Sequence, residues 1–218
     1  MHILQKAGGA AAIINALLYV IGFAVMATVL NPGSTESWSA AERLSFVLER
    51  KVLFQAWTTL IYVVFGLVLV VLAAALHERL KAASAHLMQI TTAFGLIWSG
   101  LVIASGMVGS VGLEAVASLH ATDPTRALST WTAIGAVQNG LGGGVEVVGG
   151  LWVLLISQVA RGAQGLPKAL AYFGFVVGIA GLLTIAPPLA ELGAVFGITQ
   201  IVWFAWLGMV MLRRPIAN

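Results

Sequence analysis

The feature that most constrains this chain is a stretch with no charge in it, Ala7–Leu30. At ~1.5 Å of rise per residue, a helix of that length crosses the ~30 Å hydrocarbon core of a bilayer. Comparable runs follow at Val52–Leu76, Leu87–Ser110, Trp131–Ser157, Lys168–Ala186 and Leu192–Leu212. The chain is 60% hydrophobic and only 9% charged, whereas a soluble domain carries about 25% charged residues. In lipid the backbone must satisfy its own hydrogen bonds, so apolar runs of this length are read as helices. The expected fold is all-α, a polytopic membrane protein built as a six-transmembrane-helix bundle in one domain over residues 1–218. Lys6 precedes the first run, which exceeds the ~7–15-residue apolar region of a secretory signal, so this helix is expected to be retained. Pro187-Pro188 cannot continue a helix and marks a tight turn between the fifth and sixth spans.

Orientation follows from basic residues in alternate connections. One side collects Lys6, Arg79, Lys81, Arg161, Lys168, Arg213 and Arg214, and the other Arg43, Arg50, Lys51 and Arg126. Both termini are therefore expected on the cytoplasmic side. The first outer connection, Asn31 to Lys51, contains Ser39 and Glu42 at capping-box spacing, which predicts a helix start. That helix is either an amphipathic piece at the interface or the outer end of the second span. The second outer connection, Leu113 to Thr130, reads as a partly helical cap.

One segment departs from the apolar pattern. The stretch NGLGGGVEVVGGLW, Asn139 to Trp152, holds six glycines and a glutamate inside the fourth span. On an unbroken helix Asn139 and Glu146 share a face with Gly135, Gly142, Gly143, Gly149 and Gly150. Small residues let membrane helices approach closely, so this face is expected to be buried and Glu146 to point into the bundle. Trp131 and Trp152 are spaced to suit the two aromatic belts, and Glu146, 11 residues from the inner end at Ser157, is expected about 16 Å in, near mid-membrane. A carboxylate at that depth needs a partner or a proton. No lysine or arginine lies in the other spans at that depth, so a protonated, hydrogen-bonded side chain is expected. The predicted ligand-binding or proton site is Glu146, Asn139, Asn15 and Tyr19, with Tyr62, Ser99, Gln200 and Trp203 as candidate pocket lining. The same features fit a carboxyl that merely clasps helices together.

Other chemistries lack their residues. There is no cysteine, which removes disulfides, thiolate metal sites and cysteine nucleophiles. The histidines sit at helix ends or termini rather than facing each other within spans, so neither haem nor metal is expected. No lysine lies within a helix to carry a Schiff base, and the glycine run lacks the GK[ST] of a phosphate loop. No Ser/His/Asp set assembles, so no catalytic residue is assigned and no cofactor is expected. Basic residues form no stripe for nucleic acid, and polar residues are too few to wet a channel. The expected partners are membrane lipids, a lipophilic ligand or a partner membrane subunit.

The stretches GLGGGVEVVGGLWVLLIS, FGITQIVWFAWLGMVMLRR and LFQAWTTLIYVVFGLVLVVLAAALHERL, with the six-span layout, resemble a family of uncharacterised bacterial membrane proteins, domain of unknown function 4386. That resemblance implies a multi-pass protein of a bacterial inner (cytoplasmic) membrane and carries no activity with it. The function expected is non-catalytic binding of a lipophilic small molecule or partner protein around Glu146. Two alternatives are a proton-coupled transporter using Glu146 and a membrane-embedded enzyme acting on a lipid or isoprenoid.

Overall fold

A computed structural model describes residues 2–163 and 166–213; Arg214, counted above among the basic residues, lies outside them. The described residues are helical, with no strand among them. The elements are α1 (His2–Thr28), α2 (Ala40–Glu49), α3 (Lys51–Thr58), a π-helical segment (Thr59–Val64), α4 (Phe65–Leu80), α5 (Ala85–His120), α6 (Pro124–Gln138), a second π segment (Asn139–Gly143), α7 (Val147–Gly162), α8 (Lys168–Leu183), a 3-10 turn (Pro187–Leu189) and α9 (Leu192–Arg213).

Five stretches are long and apolar enough to cross a membrane: Ile3–Thr28, Lys51–Leu80, Ala85–His120, Pro124–Gly162 and Leu192–Arg213. The fifth predicted span, Lys168–Ala186, falls on α8, an apolar helix of only 16 residues that is shorter than these five. Apolar side chains fill the core and also cover the outside. Leu17, Leu67, Val111, Val176 and Ile198 are more than half exposed, while Asn15 and Gln200 are fully buried. That is the arrangement expected when the surroundings are hydrocarbon.

Helices α1 and α9 lie against each other in antiparallel fashion: Gly9 abuts Leu212 and Gly208, and Phe23 abuts Gly197. Helix α5 is the post of the bundle, touching α4, α6, α7 and both π segments. Helices α7 and α8 pair through glycines. A Cβ at Gly150 would stand 2.6 Å from the Gly178 carbonyl oxygen and 2.7 Å from the Leu182 nitrogen. Where α5, α7 and α9 meet the core is aromatic, with Trp98–Trp152 centroids 5.6 Å apart, Trp152–Trp203 5.9 Å and Trp203–Phe204 5.6 Å.

Several expectations need correction. The third span does not stop at Ser110: α5 continues to His120, and only Ala121–Asp123 separates it from α6. Asp123 caps α6 by accepting from the Arg126 amide at 3.0 Å, with Pro124 in the first turn. Most of the predicted outer cap is thus the extension of two long helices. Trp152 is not a belt residue. It is 0% exposed and stacks in the core, because the glycines around it leave room for its ring.

The predicted helix start at Ser39 is present. Its side chain accepts from the Glu42 amide at 3.2 Å, and the Glu42 carboxylate accepts from the Ser39 amide at 2.6 Å. Helix α2 is distinct from the second span, since Arg50 leaves helical geometry between α2 and α3 (φ −111°, ψ 23°). Its Leu44 is buried with Val116 of α5 and Ala127 of α6, forming a small second core.

Candidate functional site

The fourth predicted span is not one helix. After Gln138 the backbone widens into the π segment, and Gly142 takes φ 101°, ψ 22°. That left-handed conformation is open to glycine without strain. The Gly144 and Val145 amides both turn back to the Asn139 carbonyl, the latter at 3.2 Å. They satisfy the end of α6 in the way of a C-cap. The chain then restarts as α7, with Glu146 at its N-cap.

This correction changes the site. The face argument assumed continuous helical rotation from Asn139 to Glu146, and the break removes it. Asn139 is exposed, while Glu146 is partly buried at the break. The new helix end is tied down from α8. The Glu146 amide donates to the Thr184 hydroxyl at 2.8 Å, and that hydroxyl donates to the Gly181 carbonyl at 2.7 Å. The Glu146 carbonyl accepts the first α7 bond, from the Gly150 amide at 2.8 Å. The Glu146 side chain caps no amide of its own helix. Among the described residues, none makes an ion pair or hydrogen bond to that carboxylate.

Beside the break lies a cavity of about 400 Å³. Its walls come from the second half of α1, the first π segment, α4, α5, the Gly142–Gly144 turn, and the start of α9 with the residues before it. Among the described residues Glu146 is the only acidic or basic one lining it, and Tyr19, Phe23, Trp57, Tyr62, Phe65 and Trp98 supply aromatic walls. The rings hold one another: Tyr19–Phe65 centroids are 5.2 Å apart and edge-on, and Phe65–Trp98 5.7 Å. Trp57 is fixed by its indole N–H, which donates to the Gly22 carbonyl at 3.0 Å. The Tyr62 hydroxyl donates to the Gly143 carbonyl at a long 3.5 Å. Both phenols, Tyr19 and Tyr62, lie within electrostatic reach of Glu146.

The two π segments face this one cavity, bringing Ile61 and Tyr62 from one side and Gly142 and Gly143 from the other. A π turn inserts a residue and re-aims the side chains beyond it, and such distortions recur at functional sites. Gly106 of α5 makes room for the first: a Cβ there would stand 2.7 Å from that of Tyr62.

The structure therefore brings together three of the eight predicted residues, Glu146, Tyr19 and Tyr62. Asn15, Ser99, Gln200 and Trp203 are buried in the core but do not line the cavity. Ser99 donates to the Gly95 carbonyl at 2.8 Å, one turn back in its own helix. The side-chain polar atoms of Asn15 and Gln200 and the indole nitrogen of Trp203 have no protein hydrogen-bond partner. Sequence reasoning missed Trp57, Phe23 and Phe65 as walls, and Thr184 as the support of Glu146. The signal for the break was present in the run Gly142-Gly143-Gly144, where three side chains are missing in succession.

No family model matches the chain, and no curated protein or solved structure does either.

Proposed function

We propose that this multi-pass membrane protein binds a lipophilic small molecule in the cavity beside the α6–α7 break, with Glu146 as its polar contact and without catalysis of its own. One observation carries the reading: a carboxylate with no side-chain partner lines an otherwise aromatic and glycine-walled cavity. Its volume falls within the ~300–1,000 Å³ range of small-molecule sites, which are mostly apolar with a few placed polar groups. Among the described residues no histidine or second carboxylate lines it, and the other acid–base groups there are the phenols of Tyr19 and Tyr62. Native mass spectrometry of protein purified in mild detergent tests the proposal. The wild type should retain an adduct of small-molecule mass, and Ala194→Trp, which fills the cavity, should lose it. A bare wild-type mass, or an adduct of protein size, counts against it; the latter would identify a partner subunit instead.

A second reading is favoured by the helix break itself. Transporters place substrate and ion sites where membrane helices are interrupted near mid-depth. In that reading Glu146 takes up and releases a proton, with Tyr19 and Tyr62 as the other titratable groups facing it. Flux driven by a pH gradient in liposomes should then vanish in Glu146→Gln while passive binding persists.

The setting we propose is a bacterial inner membrane, with α8 as the fifth of six crossings and both termini cytoplasmic. The basic-residue asymmetry and the antiparallel α1–α9 pair support it. Kinship with the domain of unknown function 4386 family is proposed on the three quoted stretches alone.

A further inference from the structure

We propose that the ligand of this cavity is a cation, a hydrophobic amine or quaternary ammonium whose charge pairs with Glu146 and whose substituents lie among the rings. The inference deepens the binding reading and rests on it.

The argument begins with charge balance. Lysine, arginine and histidine are all missing from the cavity lining, and among the described residues no ion pair reaches Glu146. A neutral ligand would leave the carboxylate to be neutralised by a proton. An anion would face it across a site of low dielectric, where like charges repel strongly. A cation removes the imbalance in one step.

The walls point the same way. Aromatic rings present negative faces, and a cation close to several of them is attracted by each. Trp57 and Tyr62 meet edge to face at 90°, with centroids 6.5 Å apart, and Phe65 lies edge-on to Tyr19 at 86°. Rings set at right angles form the corners of a box rather than a flat stack. Gly143, whose carbonyl accepts from the Tyr62 hydroxyl, lies on the same lining.

The positive pole in the neighbourhood is the start of α7, and it serves the carboxylate. Glu146 occupies the N-cap, where the helix dipole favours a negative charge. This end of α7 therefore does not make the cavity an anion site. The Glu146 side chain caps no amide of its own helix, so its carboxyl is left for the ligand.

The test compares two probes of nearly equal shape, benzyltrimethylammonium and neopentylbenzene, in which carbon replaces the charged nitrogen. Binding is read as a thermal shift and by competition on the purified full chain, with wild type, Glu146→Gln and Ala194→Trp. The cation should bind wild type tighter than the neutral probe by roughly tenfold or more. In Glu146→Gln that preference should collapse, and in Ala194→Trp both probes should be lost. The proposal is overturned if the two probes bind wild type alike, a comparison that stands even if a variant fails to fold. Equal binding that Ala194→Trp abolishes would leave the lipophilic-site reading intact. If neither probe binds and the wild type carries no adduct, that reading falls too.

Discussion

Gly142 and Gly150 are the same residue type eight positions apart, and they do unlike work. Gly142 is there for its backbone: φ is 101°, while an added Cβ would meet only Val102, at 3.7 Å. Gly142→Ala should cost about 1–3 kcal/mol as conformational strain. Gly150 is there for its missing side chain, since a methyl would press on α8 backbone at 2.6 Å. Gly150→Ala should therefore lower the unfolding temperature further than Gly142→Ala in the same detergent. Thr184 offers a third measurement. Thr184→Val removes the acceptor for the Glu146 amide and should cost about 1–3 kcal/mol, while Thr184→Ser should retain most of the stability. At this scale the sequence was legible where a residue type is expensive: an interior glutamate had to matter. It was illegible where two explanations need the same residue. A glycine that packs and a glycine that turns look identical in a string of letters, and the error displaced Asn139 from the site.

Elements were legible where local chemistry decides them. The Ser39–Glu42 box announces α2, and its hydrogen bonds hold the exposed Glu42 carboxyl below the usual carboxylate range. A carboxyl lowered in the folded state stabilises above its unfolded value and loses that contribution as pH falls through its folded value. Hydrogen-exchange protection at the Ser39 amide should thus be full at neutral pH and decline under acid conditions, below the ordinary range for glutamate. Protection that is flat across that range, after correction for intrinsic exchange, would contradict this account. Element lengths were another matter. Helix α5 runs ten residues past Ser110 because its far end has something to pack on, namely Leu44 and Ala127. Hydropathy cannot register such a contact.

For the whole molecule, the apolar runs sufficed to place helices, and an apolar exterior around an apolar core with a few buried polar side chains agrees with them. What they could not reveal was the cavity, because its walls come from segments far apart in sequence and its rings look like ordinary core. The sixteen residues of α8 carry a consequence of another kind. At ~1.5 Å each they reach about 24 Å, several ångströms short of an average bilayer core. With α8 crossing the bilayer as proposed above, lipid next to it must compress, at a fraction of a kcal/mol for each ångström of mismatch. Reconstituted in bilayers of graded acyl length, the protein should be most resistant to unfolding in the shorter-chain lipids. In a membrane of uneven thickness it would settle where the sheet is already thin, positioned by elasticity.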